Sequence, residues 1–234
     1  VTLVEICVDD LEGAVNAYNG GADRLELCRE IECGGLTPTD EVVTAALEYG
    51  PSGGIQILVR PRAGDFFHSD EEVSVLCTDI ARLHTLTEDA EIPVGFVVGA
   101  LNRDFTINED AALRMREAAG ERPLTFHRAF DMVPDIGKGL ETLLRLGYER
   151  VLTTGGHPQL AQPTVLAQMV EQVGEALIIL GSGGLRAHNV AETIALTGVL
   201  EVHMRAPGPQ GYGTDQKAVE EIMQQVRSAD QQRV

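Results

Sequence analysis

The feature that most constrains this chain is an alternation repeated eight times. Short runs rich in β-branched and apolar residues fall at 3–8, 24–28, 55–60, 94–99, 124–128, 150–154, 177–182 and 199–204, and a helical pattern follows each. Strands that alternate with helices predict a parallel sheet joined by helical crossovers. Eight units in 234 residues, about 29 residues each, predict an α/β fold of the TIM (β/α)8 barrel type. The rival, a doubly wound open sheet, ordinarily has a glycine-rich first turn. Here that turn reads Val8-Asp9-Asp10, without a glycine. No linker-like or low-complexity segment divides the sequence, so residues 1–234 are expected to form one barrel domain.

The helical segments carry their own punctuation. Leu11, Val15 and Tyr18 share one face of the first, between Asp9-Asp10 and Gly20-Gly21. Thr37-Pro38-Thr39-Asp40 has capping-box spacing with proline at the first helical position. Ser69 and Glu72 repeat that spacing ahead of a stripe of Val73, Leu76, Ile80 and Leu83.

Charge narrows the function. The 36 Asp and Glu outnumber the 18 Lys and Arg, a formal net charge of -18. Such a surface repels phosphate backbones and anionic lipid, so neither nucleic acid nor membrane is an expected partner. Any anion has to be held in a local basic pocket. There is no stretch of 18 apolar residues and no basic-then-apolar leader, so a cytoplasmic location is expected. In that compartment Cys7, Cys28, Cys33 and Cys77 are expected to be free thiols, metal ligands or core fillers.

Barrel chemistry sits at the C-terminal ends of the strands, and alternation sorts which residues face inward. Glu5 and Cys7 share a face of the first strand, as Glu26 and Cys28 do on the second. The helix-facing side must be apolar, so this repeated Glu-x-Cys pattern is expected inside. Arg60 and Arg62 end the third strand on one face, predicted to neutralise Glu5 and Glu26 or to clamp an anion. His127, Arg128 and Asp131 follow the fifth strand, Thr153 and Gly155 end the sixth, Gly183 follows the seventh, and His203 lies on the eighth. The amides of Gly181–Gly184 are a candidate phosphate or carboxylate cradle. His68 and His84 are expected on the surface.

Several stretches carry a resemblance. Val4-Glu5-Ile6-Cys7-Val8-Asp9, Gly20-Gly21-Ala22-Asp23-Arg24-Leu25-Glu26-Leu27-Cys28 and Gly34-Gly35-Leu36-Thr37-Pro38 open the set. Arg60-Pro61-Arg62-Ala63-Gly64-Asp65-Phe66, Thr125-Phe126-His127-Arg128-Ala129-Phe130-Asp131 and Glu149-Arg150-Val151-Leu152-Thr153 complete it. From Val4 to about Met204 the chain resembles the copper homeostasis protein CutC family. The resemblance implies a barrel, a cytosolic role in copper handling, Cys7 and Cys28 as Cu(I) ligands, and a polar site at Glu26, Arg60, Asp65, His127, Arg128 and Asp131. The chain departs from the family pattern at Met204-Arg205 and at Gly181.

Two functional readings stay open. In one the protein binds Cu(I), since a pair of soft thiolates favours Cu(I) over harder ions; against it, Cys7 and Cys28 are simply small buried fillers. In the other it is an enzyme acting on a small anionic metabolite. There Glu26, Arg60, Asp65 and His127 form the catalytic set, and Arg62, Arg128, Asp131, Thr153, Gly155, Gly183 and His203 bind the ligand. The corresponding alternative is an internal charge layer that only fills the barrel. No Cys-x-x-Cys and no histidine pair at i, i+4 occurs, which argues against a structural zinc. Self-association into a homo-oligomer is expected.

Overall fold

The computed structural model describes residues 1–232. Its eight strands are β1 (Leu3–Val8), β2 (Arg24–Leu27), β3 (Ile55–Leu58), β4 (Val94–Val98), β5 (Leu124–Phe126), β6 (Arg150–Thr153), β7 (Ile178–Gly181) and β8 (Glu201–Met204). They pair in sequence order, all parallel, and β8 closes onto β1. The helices are α1 (Leu11–Asn19), α2 (Asp40–Ala46), α3 (Asp70–Leu86), α4 (Glu109–Ala119), α5 (Ile136–Arg145), α6 (Pro163–Val173), α7 (Val190–Thr197) and α8 (Gln216–Gln232). The alternation therefore builds the closed (β/α)8 barrel that it predicts.

Each strand shows one face to the helices and one to the axis. Val4, Ile6, Val8, Leu25, Leu27, Phe96, Val98 and Phe126 face outward and are fully buried beneath the helical ring. The inward positions are polar to an unusual degree, with Glu5, Arg24, Glu26, Gln56, Thr125 and Glu201 all buried. Register fixes their neighbours: Glu5 lies level with Arg24 on one side and His203 on the other, and Cys7 lies level with Glu26.

Local signals hold in part. Ser69 and Glu72 form the complete capping box at the start of α3, and Asp10 caps α1 by accepting the Gly13 amide. The buried face of α1 consists of Gly13, Ala14 and Ala17, while Leu11 and Tyr18 are exposed, because only small residues fit where this helix approaches the barrel. α2 starts at Asp40, after Pro38, and Thr39 makes no side-chain cap. Thr37 serves the mouth instead: its hydroxyl donates to the Arg60 carbonyl and accepts from the Arg60 amide. Among the described residues no helix is long and apolar enough to cross a membrane.

Candidate functional site

The C-terminal mouth opens into a cavity of about 610 Å³. One wall comes from β1, β2 and β8. Cys7 and Cys28 face each other there with their sulfurs 3.9 Å apart, and the Cys28 thiol also donates to the Val8 carbonyl at 3.5 Å. All four cysteines are free. Leu58, Val97 and Ile31 enclose the pair in a small apolar cluster separate from the main core. Next to it, a sulfur of Cys7, a carboxylate oxygen of Glu26 and a ring nitrogen of His203 all lie within 4.8 Å of one another. Cys33 stays apart: it does not line the cavity, and its thiol donates to the Glu30 carbonyl. Cys77 packs against the outer core.

A buried charge network supports this wall from below. Arg24 donates to Glu5 through Nε at 2.5 Å and to Glu201 through a terminal nitrogen at 2.5 Å, and Arg150 donates to Glu201 at 2.9 Å. His203 Nδ1 lies 2.8 Å from Glu5 and 3.2 Å from Glu26. Burial opposes charge on Glu5, but Arg24 and His203 overcome it and hold its carboxyl down at about 2. Glu26 lacks a guanidinium contact, so burial, assisted by the Glu5 charge, pushes it up to about 7 against the pull of His203. Burial likewise opposes a charge on His203, yet the Glu26 and Glu5 carboxylates raise its pKa above the ordinary value. The Cys7 thiol rises chiefly through its bond to Cys28, then through burial and the Glu26 charge.

The rest of the mouth comes from the loops after β3 and β7, which flank that wall, and after β5, which lies across the barrel from it. Arg60 spans the β2 and β3 loops, donating to the carbonyls of Cys33 at 3.3 Å, Gly35 at 3.2 Å and Gly64 at 2.8 Å. Its guanidinium also sits 4.9 Å from the centre of the Phe66 ring, and Phe66 in turn packs 4.8 Å from His127. His127 fits because a glycine follows β4: a Cβ on Gly99 would come within 2.4 Å of the imidazole. Its Nδ1 accepts the Ala129 amide at 3.2 Å, so the ring proton of the neutral form belongs on Nε2. Burial first, and Arg60 second, push His127 down to about 3.

The structure therefore sorts the residues that the sequence singles out. Cys7, Cys28, Glu26, Arg60, His127, Arg128, Gly183 and His203 all line the one cavity. Arg62 and Asp65 do not: the strand ends at Leu58, alternation lapses across Pro61, and Arg62 turns outward to pair with Glu72 and Asp65. Neither Arg60 nor Arg62 neutralises Glu5 or Glu26; Arg24 and His203 do that for Glu5, and His203 alone meets Glu26. Asp131 also lies outside the cavity. It accepts from Thr153 Oγ1 and from the amides of Thr154 and Gly156, and bonds Arg128 at 3.0 Å, so it ties the β6 loop to the β5 loop. Thr153 and Gly155 belong to that tie, since the Gly155 amide donates to the Thr153 hydroxyl. His68, expected on the surface, has a buried side chain with neither ring nitrogen bonded.

Sequence reasoning missed Arg24, Arg150, Arg186 and Arg205. Arg24 shares the parity of Glu26 and Cys28, and that signal was available. Arg186 and Arg205 follow strands β7 and β8 and line the cavity from loops where parity gives no direction.

Fold and site together define a (β/α)8 barrel whose mouth sets a thiol, carboxylate and imidazole cluster beside guanidinium groups from the flanking loops. Its sequence matches the CutC family across residues 2–208. It is 42% identical over 205 residues to a CutC family protein of Mesorhizobium japonicum, covering 87% of this chain and 77% of that one. It is 37% identical over 212 residues to the human copper homeostasis protein cutC homolog, covering 90% of this chain and 76% of that one. The crystal structure of CutC from Streptococcus agalactiae superposes with a TM-score of 0.79 at 29% identity, over 87% of this chain and 98% of that one. The chain belongs to the CutC family. The phosphoribosylanthranilate isomerase of Pyrococcus furiosus, at 14% identity and a TM-score of 0.60 over 97% of this chain and all of that one, shares the fold alone.

Proposed function

We propose that this protein serves copper homeostasis by binding Cu(I) at the barrel mouth between Cys7 and Cys28. The observation that carries the reading is the 3.9 Å separation of two free sulfurs facing one cavity. Two thiolates at roughly 2.2 Å from one ion need a separation of about 4 Å, and soft sulfur donors select Cu(I). His203 and Glu26 stand within reach of Cys7 as further donors and as acceptors for the displaced thiol proton. Free thiols fit a reducing compartment, which supports a cytoplasmic protein.

Competition with a Cu(I) chelator tests this. Wild-type protein is expected to take up one Cu(I), Cys28→Ser to lose at least tenfold in affinity, and Cys77→Ser to behave as wild type. Equal affinity of the wild-type and Cys28→Ser proteins rules out the paired-thiol site.

A further inference from the structure

We propose that the cavity also binds a small organic dianion, a phosphate monoester or a dicarboxylate, between the loops that follow β3, β5 and β7. Arg60 and His127 hold one end, and Arg186 with the amides of Gly183 and Gly184 holds the other. This site goes beyond the copper reading and does not depend on it.

Charge is the first argument. With twice as many acids as bases in the chain, most arginines find a carboxylate. At the mouth Arg128 pairs with Asp131 and Arg205 with Glu32. Arg60 and Arg186 line the same cavity, yet neither makes an ion pair among the described residues; Arg60 is satisfied only by backbone carbonyls and Arg186 by the carbonyl of Leu185. Two guanidinium groups lining one cavity without ion-pair partners call for a ligand carrying two negative charges.

Unused donors are the second argument. Arg60 and His127 are each 5% exposed, and among the described residues Arg60 Nε and His127 Nε2 have no hydrogen-bond partner. The Ala129 amide fixes the His127 tautomer, so Nε2 presents a neutral N–H. A buried donor without an acceptor is costly and rare in folded proteins. Both residues line the cavity, where a ligand oxygen would supply the missing acceptor.

The β7 loop is the third. Gly183 and Gly184 take positive φ angles of 105° and 66°, which glycine adopts without strain. Their carbonyls accept from Ala161 and Asn189, whereas their amides donate to no group among the described residues. Loops after the seventh and eighth strands are where barrels of this fold often hold phosphate. A cavity of about 610 Å³ also suits a metabolite far better than a bare ion. Arg62, Asp65, Thr153 and Gly155 take no part.

Calorimetric titration decides the matter. The probes are inorganic phosphate, glycerol 3-phosphate and succinate, with acetate as a monoanion. At least one dianion is expected to saturate the wild-type protein, with affinity at least tenfold lower in Arg186→Ala and in His127→Asn. Asparagine keeps an oxygen for the Ala129 amide and removes the Nε2 donor, so His127→Asn preserves the loop. Arg186→Ala removes one hydrogen bond to the neighbouring carbonyl and gives an independent reading. Arg62→Ala, outside the cavity, should bind like wild type. Preference for the phosphates over succinate assigns a phosphate ligand, and the reverse assigns a dicarboxylate. The proposal fails if no dianion saturates, if acetate binds as well as succinate, or if Arg186→Ala retains wild-type affinity. The copper competition is a separate measurement, so neither failure is mistaken for the other.

Discussion

The floor and the mouth of this barrel treat their arginines in opposite ways. On the floor, Arg24 and Arg150 meet Glu5 and Glu201 within 3 Å, and His203 joins Glu5 to Glu26. At the mouth, Arg60 and Arg186 line the cavity without an ion pair among the described residues. The floor's carboxylates meet their cations inside the chain, although Arg150 Nη1 has no hydrogen-bond partner among the described residues, and the layer's role is structural. The mouth is left incomplete by the same sequence, and incomplete pairing in a concave site marks a place for a ligand. The two layers nonetheless touch: Glu26 and His203 end the floor network and begin the cavity wall, so the floor holds the donors beside Cys7 in place.

The largest effect should come from breaking the floor. Arg24→Met leaves Glu5 and Glu201 buried without the guanidinium that bridges them. Removing one partner of a buried ionic network costs about 3–5 kcal/mol. Urea unfolding is expected to show a loss of that size. Adding Glu5→Gln to Arg24→Met should recover part of it, since the neutral amide no longer demands a cation. A loss below about 1 kcal/mol, no more than a single ordinary hydrogen bond, would deny the floor its structural role.

How much of this was legible beforehand follows from where parity applies. Within the strands it works: Glu5 and Cys7, Glu26 and Cys28 all face inward as alternation requires, because the helical ring admits only apolar residues on the other face. Beyond the strand ends it fails. Arg62 was grouped with Arg60 as though β3 continued, but the chain has left the sheet by Leu58 and Arg62 points outward. Asp131 belongs to the polar site that the family resemblance implies; its oxygens are already occupied by Thr153, Thr154, Gly156 and Arg128. Such saturation is a three-dimensional fact with no sequence signature. The eight strands, by contrast, differ from their predicted spans by only a few residues at the ends.

A second way to sharpen the comparison uses pH. Folding holds His127 at about 3, below its ordinary 6.5. The unfolded chain therefore binds a proton between those values that the folded chain does not. The sign follows: this contribution is fully present above about pH 6.5 and is lost as pH falls towards 3, by an amount on the order of a few kcal/mol. His127→Asn has no such group. Its unfolding midpoint should fall less steeply than that of wild type between pH 6.5 and 4. Parallel curves would show that folding leaves the imidazole titrating as it does in the unfolded chain, so burial would not hold it neutral below its ordinary 6.5.

The smallest effect should have the opposite character to the first. Arg186 is half-buried at the mouth, makes no ion pair among the described residues, and has its pKa lowered by burial first and by Arg205 second. Both influences mean that the folded chain holds this charge at a cost. Arg186→Ala removes that cost together with one bond to the Leu185 carbonyl. Its stability in urea is therefore expected within about 0.5 kcal/mol of wild type, or above it. A residue kept for a ligand commonly lowers stability in this way. Were Arg186→Ala to lose more than about 1 kcal/mol, comparable to a buried hydrogen bond, the mouth arginine would be a structural element like those below it. A variant that folds at least as well as wild type, yet binds the dianion at least tenfold more weakly, separates the two layers completely.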